Sequence, residues 1–171
     1  MLIYSPRWLF LVPGLVLGVL GAVSAAVLAT GTVKVGPVAF STGTLAVACM
    51  SVMVGGQLTA FAFYTKVFAI GEGLLPDDAR FSKLFKLFTL EKGIVLGLVV
   101  MTLGVGLLVH GFLIWRAAGY GALPYDENMR RLIPAMTLII SGVQIIFGSF
   151  FMSVLGLRTA SRREPGSGLQ Q

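Results

Sequence analysis

Four long apolar stretches, at about residues 8–30, 43–70, 93–115 and 132–157, are separated by three polar connections and followed by a basic tail over 158–171. A hydrocarbon core of about 30 Å needs about 20 residues of helix, so each stretch is long enough to cross a bilayer. The pattern therefore predicts an all-α integral membrane protein: a four-helix transmembrane domain over 1–157, then a disordered cytoplasmic tail. The first stretch has a rival reading as a secretory signal, because VSAAVLA at 23–29 supplies small residues where a peptidase could cut. Its apolar run is longer than a signal core, and only Arg7 charges its front, so a span is the expected reading.

The central connection changes periodicity. Beyond Pro76 and Asp77, a plausible helix start, Phe81, Leu84, Phe85 and Phe88 recur at helical spacing while Arg80, Ser82, Lys83 and Lys86 fall on the other side. Over about 77–89 that predicts an amphipathic helix lying in the headgroup plane, its rings in the acyl boundary and its cations toward anionic lipid. It would be either a platform that positions a lipid substrate or an interfacial anchor.

The spans also resemble one another. The run GLVLG at 14–18 matches GIVLG at 93–97, and GGQLTAFAFYTKV at 55–67 aligns without gaps on GVQIIFGSFFMSV at 142–154. Gly55 then pairs with Gly142, Gln57 with Gln144, Tyr64 with Phe151 and Val67 with Val154. This predicts two repeated helical hairpins of the same orientation, related by a pseudo-twofold along the membrane normal. Lipid tails give no hydrophobic drive between helices, so spans associate where small residues let backbones approach and where polar side chains bond across. A four-spaced stripe of Gly14, Gly18, Ala22 and Ala26 on the first span and Gly93 with Gly97 on the third are the expected contact surfaces. Gln57, Gln144 and Ser149 are expected in the bundle interior, the two glutamines as an amide pair across the axis or as the lining of a polar groove.

Composition agrees with this and narrows the function. The 171 residues are 56% hydrophobic and 12% charged, with a mean hydropathy of +0.90, against about a quarter charged in soluble domains. There are 13 Lys and Arg against 7 Asp and Glu. That excess is explained by loop topology, and no nucleic-acid partner is expected. Arg7, Lys66, Arg80, Lys83, Lys86, Lys92, Arg158, Arg162 and Arg163 fall on one side, and Lys34, Arg116, Arg130 and Arg131 on the other. The bias places both termini in the cytoplasm. The lone Cys49 can form no internal disulfide.

Catalytic patterns are missing. Asp77 and Asp78 are adjacent, Asp126 stands apart, and no D-x-D spacing, phosphate-cradling loop, nucleophile elbow or His/Cys metal cluster occurs. No metal site and no catalytic residue is expected in this chain. His110, in the outer half of the third span, is read as an interface residue, and no carboxylate lies in any of the four cores to drive ion-coupled transport. Glu91 and Lys92 look like a charged helix start.

Several motifs together resemble a family. SPRWLFLVPG at 5–14, EGLLP at 72–76, LEKG at 90–93 and IFGSFFMSVLGL at 146–157 are similar to the C-terminal membrane region of bacterial family-two glycosyltransferases, the relatives of dolichyl- and polyprenyl-phosphate sugar synthases. In the last motif Gly148 stands where the family usually has a serine. The resemblance implies a module that anchors and positions a polyprenyl phosphate for a cytoplasmic nucleotide-sugar transferase domain of GT-A type, in the same chain or a separate one. That domain, with its divalent metal, is absent from this sequence, so the chain is expected to be inactive alone and to need no cofactor of its own. The resemblance places Arg7, Arg80, Lys83 and Lys86 near phosphate or headgroups and gives Glu72 and Glu91 the organisation of the cytoplasmic face. It further implies the bacterial cytoplasmic membrane, with membrane lipids as partners and self-association left open. A four-span flippase-like or accessory protein for lipid-linked sugars is the alternative, with Gln57, Gln144, Ser141, Ser149 and Ser153 as its polar path. A purely structural subunit is a third.

Overall fold

The computed structural model describes residues 7–72 and 90–161. A π-helical turn, Arg7–Leu11, leads into α1 (Val12–Thr30), which has Pro13 in its first turn, where the missing N–H costs no helical bond. A short antiparallel hairpin follows, β1 (Val33–Val35) and β2 (Val38–Phe40), with Val33 opposite Phe40 and Gly36 at φ +60° in its turn. Then come α2 (Thr42–Gly71), α3 (Leu90–Ala117) and α4 (Tyr125–Ser161). All four helices are long and apolar enough to cross a membrane, and the chain is a multi-pass membrane protein of all-α class. The expected interfacial helix at 77–89 lies outside the described residues. α4 continues to Ser161, into the segment expected as tail, whose remaining residues lie outside those described. At its other end α4 begins at Tyr125, seven residues before the apolar run, with Asp126 and Glu127 favourably placed in the first turn against the helix dipole.

The C-terminus of α3 has a specific stop. Gly119, at φ +65°, donates its N–H to the Arg116 carbonyl at 3.0 Å, and Tyr120 donates to the Trp115 carbonyl at 3.1 Å. These are the paired bonds of a Schellman motif, which requires a left-handed residue that glycine supplies without strain. Trp115 then stacks edge-on against Tyr120 with centroids 5.0 Å apart and donates its indole N–H to Gly121 O at 3.2 Å.

The helices assemble as two hairpins. α1 packs on α2, α3 packs on α4, and the hairpins meet through α2 and α4. The interior is made of small residues: Ala48, Cys49, Ala62, Ala69 and Ala135 are buried, whereas Leu20, Val19, Leu103 and Phe147 are exposed. A soluble protein would bury the large residues. Here the apolar outer face is the one that lipid covers, and close backbone approach holds the inside. The larger buried residues, Leu28 and Leu45, form a cluster with Cys49 near the hairpin end, joined by Val33 and Ile133.

Candidate functional site

Along α1 the contact seam runs Gly14, Gly18, Gly21, Ala25, Leu28, alternating steps of four and three, while Ala22 and Ala26 are exposed. The expected four-spaced stripe is thereby corrected. A step of four residues turns a helix by about 400°, so repeated fours drift off the face, whereas alternating fours and threes keep to it. α3 repeats this with buried Gly93, Gly97 and Gly104.

At these glycines the backbones touch. A β-carbon at Gly55 would lie 2.6 Å from the Gly14 carbonyl oxygen, and one at Gly21 would lie 2.7 Å from that of Ala48. In the second hairpin a β-carbon at Gly97 would lie 2.8 Å from the Gly142 carbonyl oxygen, and one at Gly142 would lie 2.7 Å from that of Gly97. Gly18 against Gly55 and Gly97 against Gly142 are therefore equivalent contacts under the sequence repeat. A second observation agrees with the pseudo-twofold. Tyr64 and Phe151, which the repeat makes equivalent, stack edge-on against each other with centroids 4.9 Å apart. Residues that meet their own counterparts lie beside the axis relating the two units. Gly148 is part of the same junction, because a β-carbon there would collide with the Tyr64 hydroxyl.

The glutamines do not form the expected pair. Gln57 is exposed and Gln144 half-buried. Gly55 is spent on the close contact with α1, and a residue two positions further along a helix points about 200° away from it. Ser149 is half-buried, with Gly93 packed directly on it. Its hydroxyl donates to the Ile145 carbonyl at 2.7 Å, inside its own helix. Among the described residues Thr42 is the buried polar one, so Gln57, Gln144, Ser141, Ser149 and Ser153 do not join into an interior polar path.

Of the residues assigned to the cytoplasmic face, Arg7 opens the π-helical turn, whereas Arg80, Lys83 and Lys86 lie outside the described residues. Glu72 is the C-cap of α2, its backbone N–H donating to the Phe68 carbonyl at 2.9 Å, and its side chain is exposed. Glu91 is exposed in the first turn of α3. Both acids thus sit at helix ends on the face where α1 begins and α4 ends.

The opposite face holds polar contacts that the sequence reading did not assign. Arg130 donates through Nη1 to the Leu28 carbonyl at 2.7 Å and through Nη2 to the Thr32 hydroxyl. It satisfies an orphan carbonyl in the last turn of α1 and places a cation at the negative end of that helix. The Thr42 hydroxyl donates to Asp126 Oδ1 at 3.1 Å, joining α2 to α4. The available signal was Asp126 and Arg130 standing four apart on one helix face, directly before an apolar run.

Residues 63–156, a little over half of the chain, match the model of the glycosyltransferase family 2 C-terminal transmembrane region. The chain is also 33% identical over 165 residues to the low-salt glycan biosynthesis hexosyltransferase Agl6 of Haloferax volcanii. That alignment covers 91% of this chain and 37% of the relative, so the chain spans little more than a third of that protein's length. No solved structure matches it.

Proposed function

The chain belongs to the glycosyltransferase family 2 C-terminal transmembrane regions, and from that premise we propose that it positions a polyprenyl or dolichyl phosphate acceptor for a nucleotide-sugar transferase domain. The observation that carries this reading is the match over 63–156, which takes in the basic central connection together with α3 and most of α4. The glycine seams support it further. Backbone contact at Gly18–Gly55 and Gly97–Gly142 makes a closely packed scaffold, suited to presenting a fixed surface. The transferase domain, with the divalent metal expected of it, is supplied by residues beyond this chain or by a second polypeptide.

In this reading both termini and the central connection face the cytoplasm, where the nine cations counted above collect. Arg7, Arg80, Lys83 and Lys86 hold the acceptor phosphate at the membrane surface, with Glu72 and Glu91 ordering the adjoining helix ends. A cationic headgroup platform brings each neutralised charge about 1 kcal/mol of attraction near the surface. The test is sugar transfer from a nucleotide sugar to polyprenyl phosphate in vesicles, with this chain joined to a GT-A transferase domain. Replacing Arg80, Lys83 and Lys86 together by Gln is expected to raise KM for the lipid acceptor by about tenfold or more and to leave KM for the nucleotide sugar unchanged. An unchanged lipid KM would remove the headgroup assignment. Transfer that proceeds equally well without the membrane chain would remove the positioning role.

A further inference from the structure

At the face where α3 ends and α4 begins, the two helices part. Their seam is tight as far as Gly104, where a β-carbon would lie 2.9 Å from the Ala135 carbonyl oxygen. Seven residues beyond, at Gly111, nothing lies within 4 Å of a β-carbon built there. Pro134 sits at this junction inside α4, where its ring removes one helical hydrogen bond and crowds the preceding turn. The result is a cleft of about 400 Å³ between the helices.

Its walls are of two kinds. Leu107, Leu108, Gly111 and Phe112 of α3 and Leu132 of α4 line an apolar channel. The polar part of its lining is Asn128 and Arg131 of α4, with Trp115 of α3 also in the lining. Trp115 stacks on Tyr120, and Tyr125 opens α4 at this same end of the helices, the level at which aromatic residues mark the membrane–water interface. Arg131 is half-buried, and Nη2 approaches Glu127 Oε2 only to 3.7 Å, beyond hydrogen-bond distance. A guanidinium offers five N–H donors in a fork that matches phosphate. Glu127 is well exposed, and such a surface pair is weak.

We propose that this cleft binds one anionic glycerophospholipid, its phosphate at Arg131 and Asn128 and one acyl chain along Leu107, Gly111 and Leu132. An apolar slot with a cation at headgroup height complements that amphiphile in both shape and charge, and a zwitterionic lipid would gain less at Arg131. The site lies on the other membrane face from the acceptor platform and does not rest on the reading of that platform.

The test reads Trp115 directly. The chain has two tryptophans, and a Trp8→Phe background leaves Trp115 as the fluorophore. The full chain is reconstituted in vesicles of phosphatidylcholine and phosphatidylglycerol in which one lipid or the other carries brominated acyl chains. Brominated phosphatidylglycerol is expected to quench Trp115 as if about threefold enriched there over brominated phosphatidylcholine, the order of effect of one charge near the membrane surface. Arg131→Gln is expected to abolish the preference and Arg131→Lys to keep part of it. Gly111→Phe, which fills open space, is expected to reduce quenching by both lipids. Equal quenching by the two headgroups in the Trp8→Phe protein would overturn the proposal, as would a preference that survives Arg131→Gln. Relief of the preference by millimolar inorganic phosphate would also overturn it, by assigning Arg131 to a soluble anion. Should Arg131→Gln lose helical circular dichroism, Gly111→Phe decides the matter alone: unchanged quenching in that variant refutes the cleft.

Discussion

Gly55 and Gly142 are two of the positions at which a single methyl group has nowhere to go, because the facing atoms are backbone or Cβ atoms that cannot swing aside. Gly55→Val and Gly142→Val are each expected to destabilise their hairpin by about 1–3 kcal/mol, the range for forcing extra atoms into a packed interface. Unfolding in SDS-containing mixed micelles would measure it. At Gly56, by contrast, nothing lies within 4 Å, and Gly56→Ala is expected to be neutral or slightly stabilising through helix propensity. Tyr64 and Phe151 are expected to couple by about 0.5–1.5 kcal/mol in a double-mutant cycle with alanine, the usual worth of an edge-on aromatic pair. Gln57→Leu and Gln144→Leu are expected to be additive in the same assay. Coupling between the glutamines would show that the amide pair forms after all.

Between elements, the two faces of the molecule are held by different chemistry. Toward the start of α1 and the end of α4, glycine seams and the Tyr64–Phe151 stack join the helices. Toward the β-hairpin, Arg130 ties α4 to the end of α1, and Asp126 ties it to Thr42 at the start of α2. Arg130→Ala is expected to cost about 1.5–3 kcal/mol, as for hydrogen bonds to a charged donor, and to raise amide hydrogen exchange at the C-terminal turn of α1 ahead of the other helices. Equal protection in that turn with and without the arginine would mean that α1 is fixed by its glycine seam alone. The same region gives a chemical probe: Cys49 is 3% exposed in the Leu28–Leu45 cluster. Maleimide labelling of the native protein is expected to be at least tenfold slower than in denaturant, since local opening must precede reaction.

At the scale of the whole molecule, the chain is two similar hairpins joined by their second helices. Each uses its first helix as a glycine-lined strip against its partner, and the α2–α4 contact then becomes the axis. That arrangement explains why GSFF sits in α4: Gly148 admits the Tyr64 hydroxyl, Ser149 receives Gly93, and Phe151 meets its counterpart. It also leaves one face of the scaffold tight and the other open at the α3–α4 cleft, a difference that the repeat by itself does not require.

The sequence by itself determined the membrane class, the four spans, the internal repeat and the family, because hydropathy over about 20 residues and local motifs need no knowledge of which helix meets which. It also determined that Gly14, Gly18, Gly93 and Gly97 are contact residues, since a small side chain is a precondition for backbone approach wherever the partner lies. Only the tertiary structure decided the rest. Gln57 and Gln144 occupy equivalent repeat positions, yet equivalence does not bring two residues together. Contact requires closeness to the axis, which Tyr64 and Phe151 have. Ala22 and Ala26 were small at regular spacing but rotated off the seam, because helical contact follows the 3.5-residue average of a packed pair and not a fixed step of four. Arg130 reads in sequence as one of four outer-side cations. Its bond to the Leu28 carbonyl, across 102 residues of chain, exists only because the assembled helices bring the end of α1 beside α4.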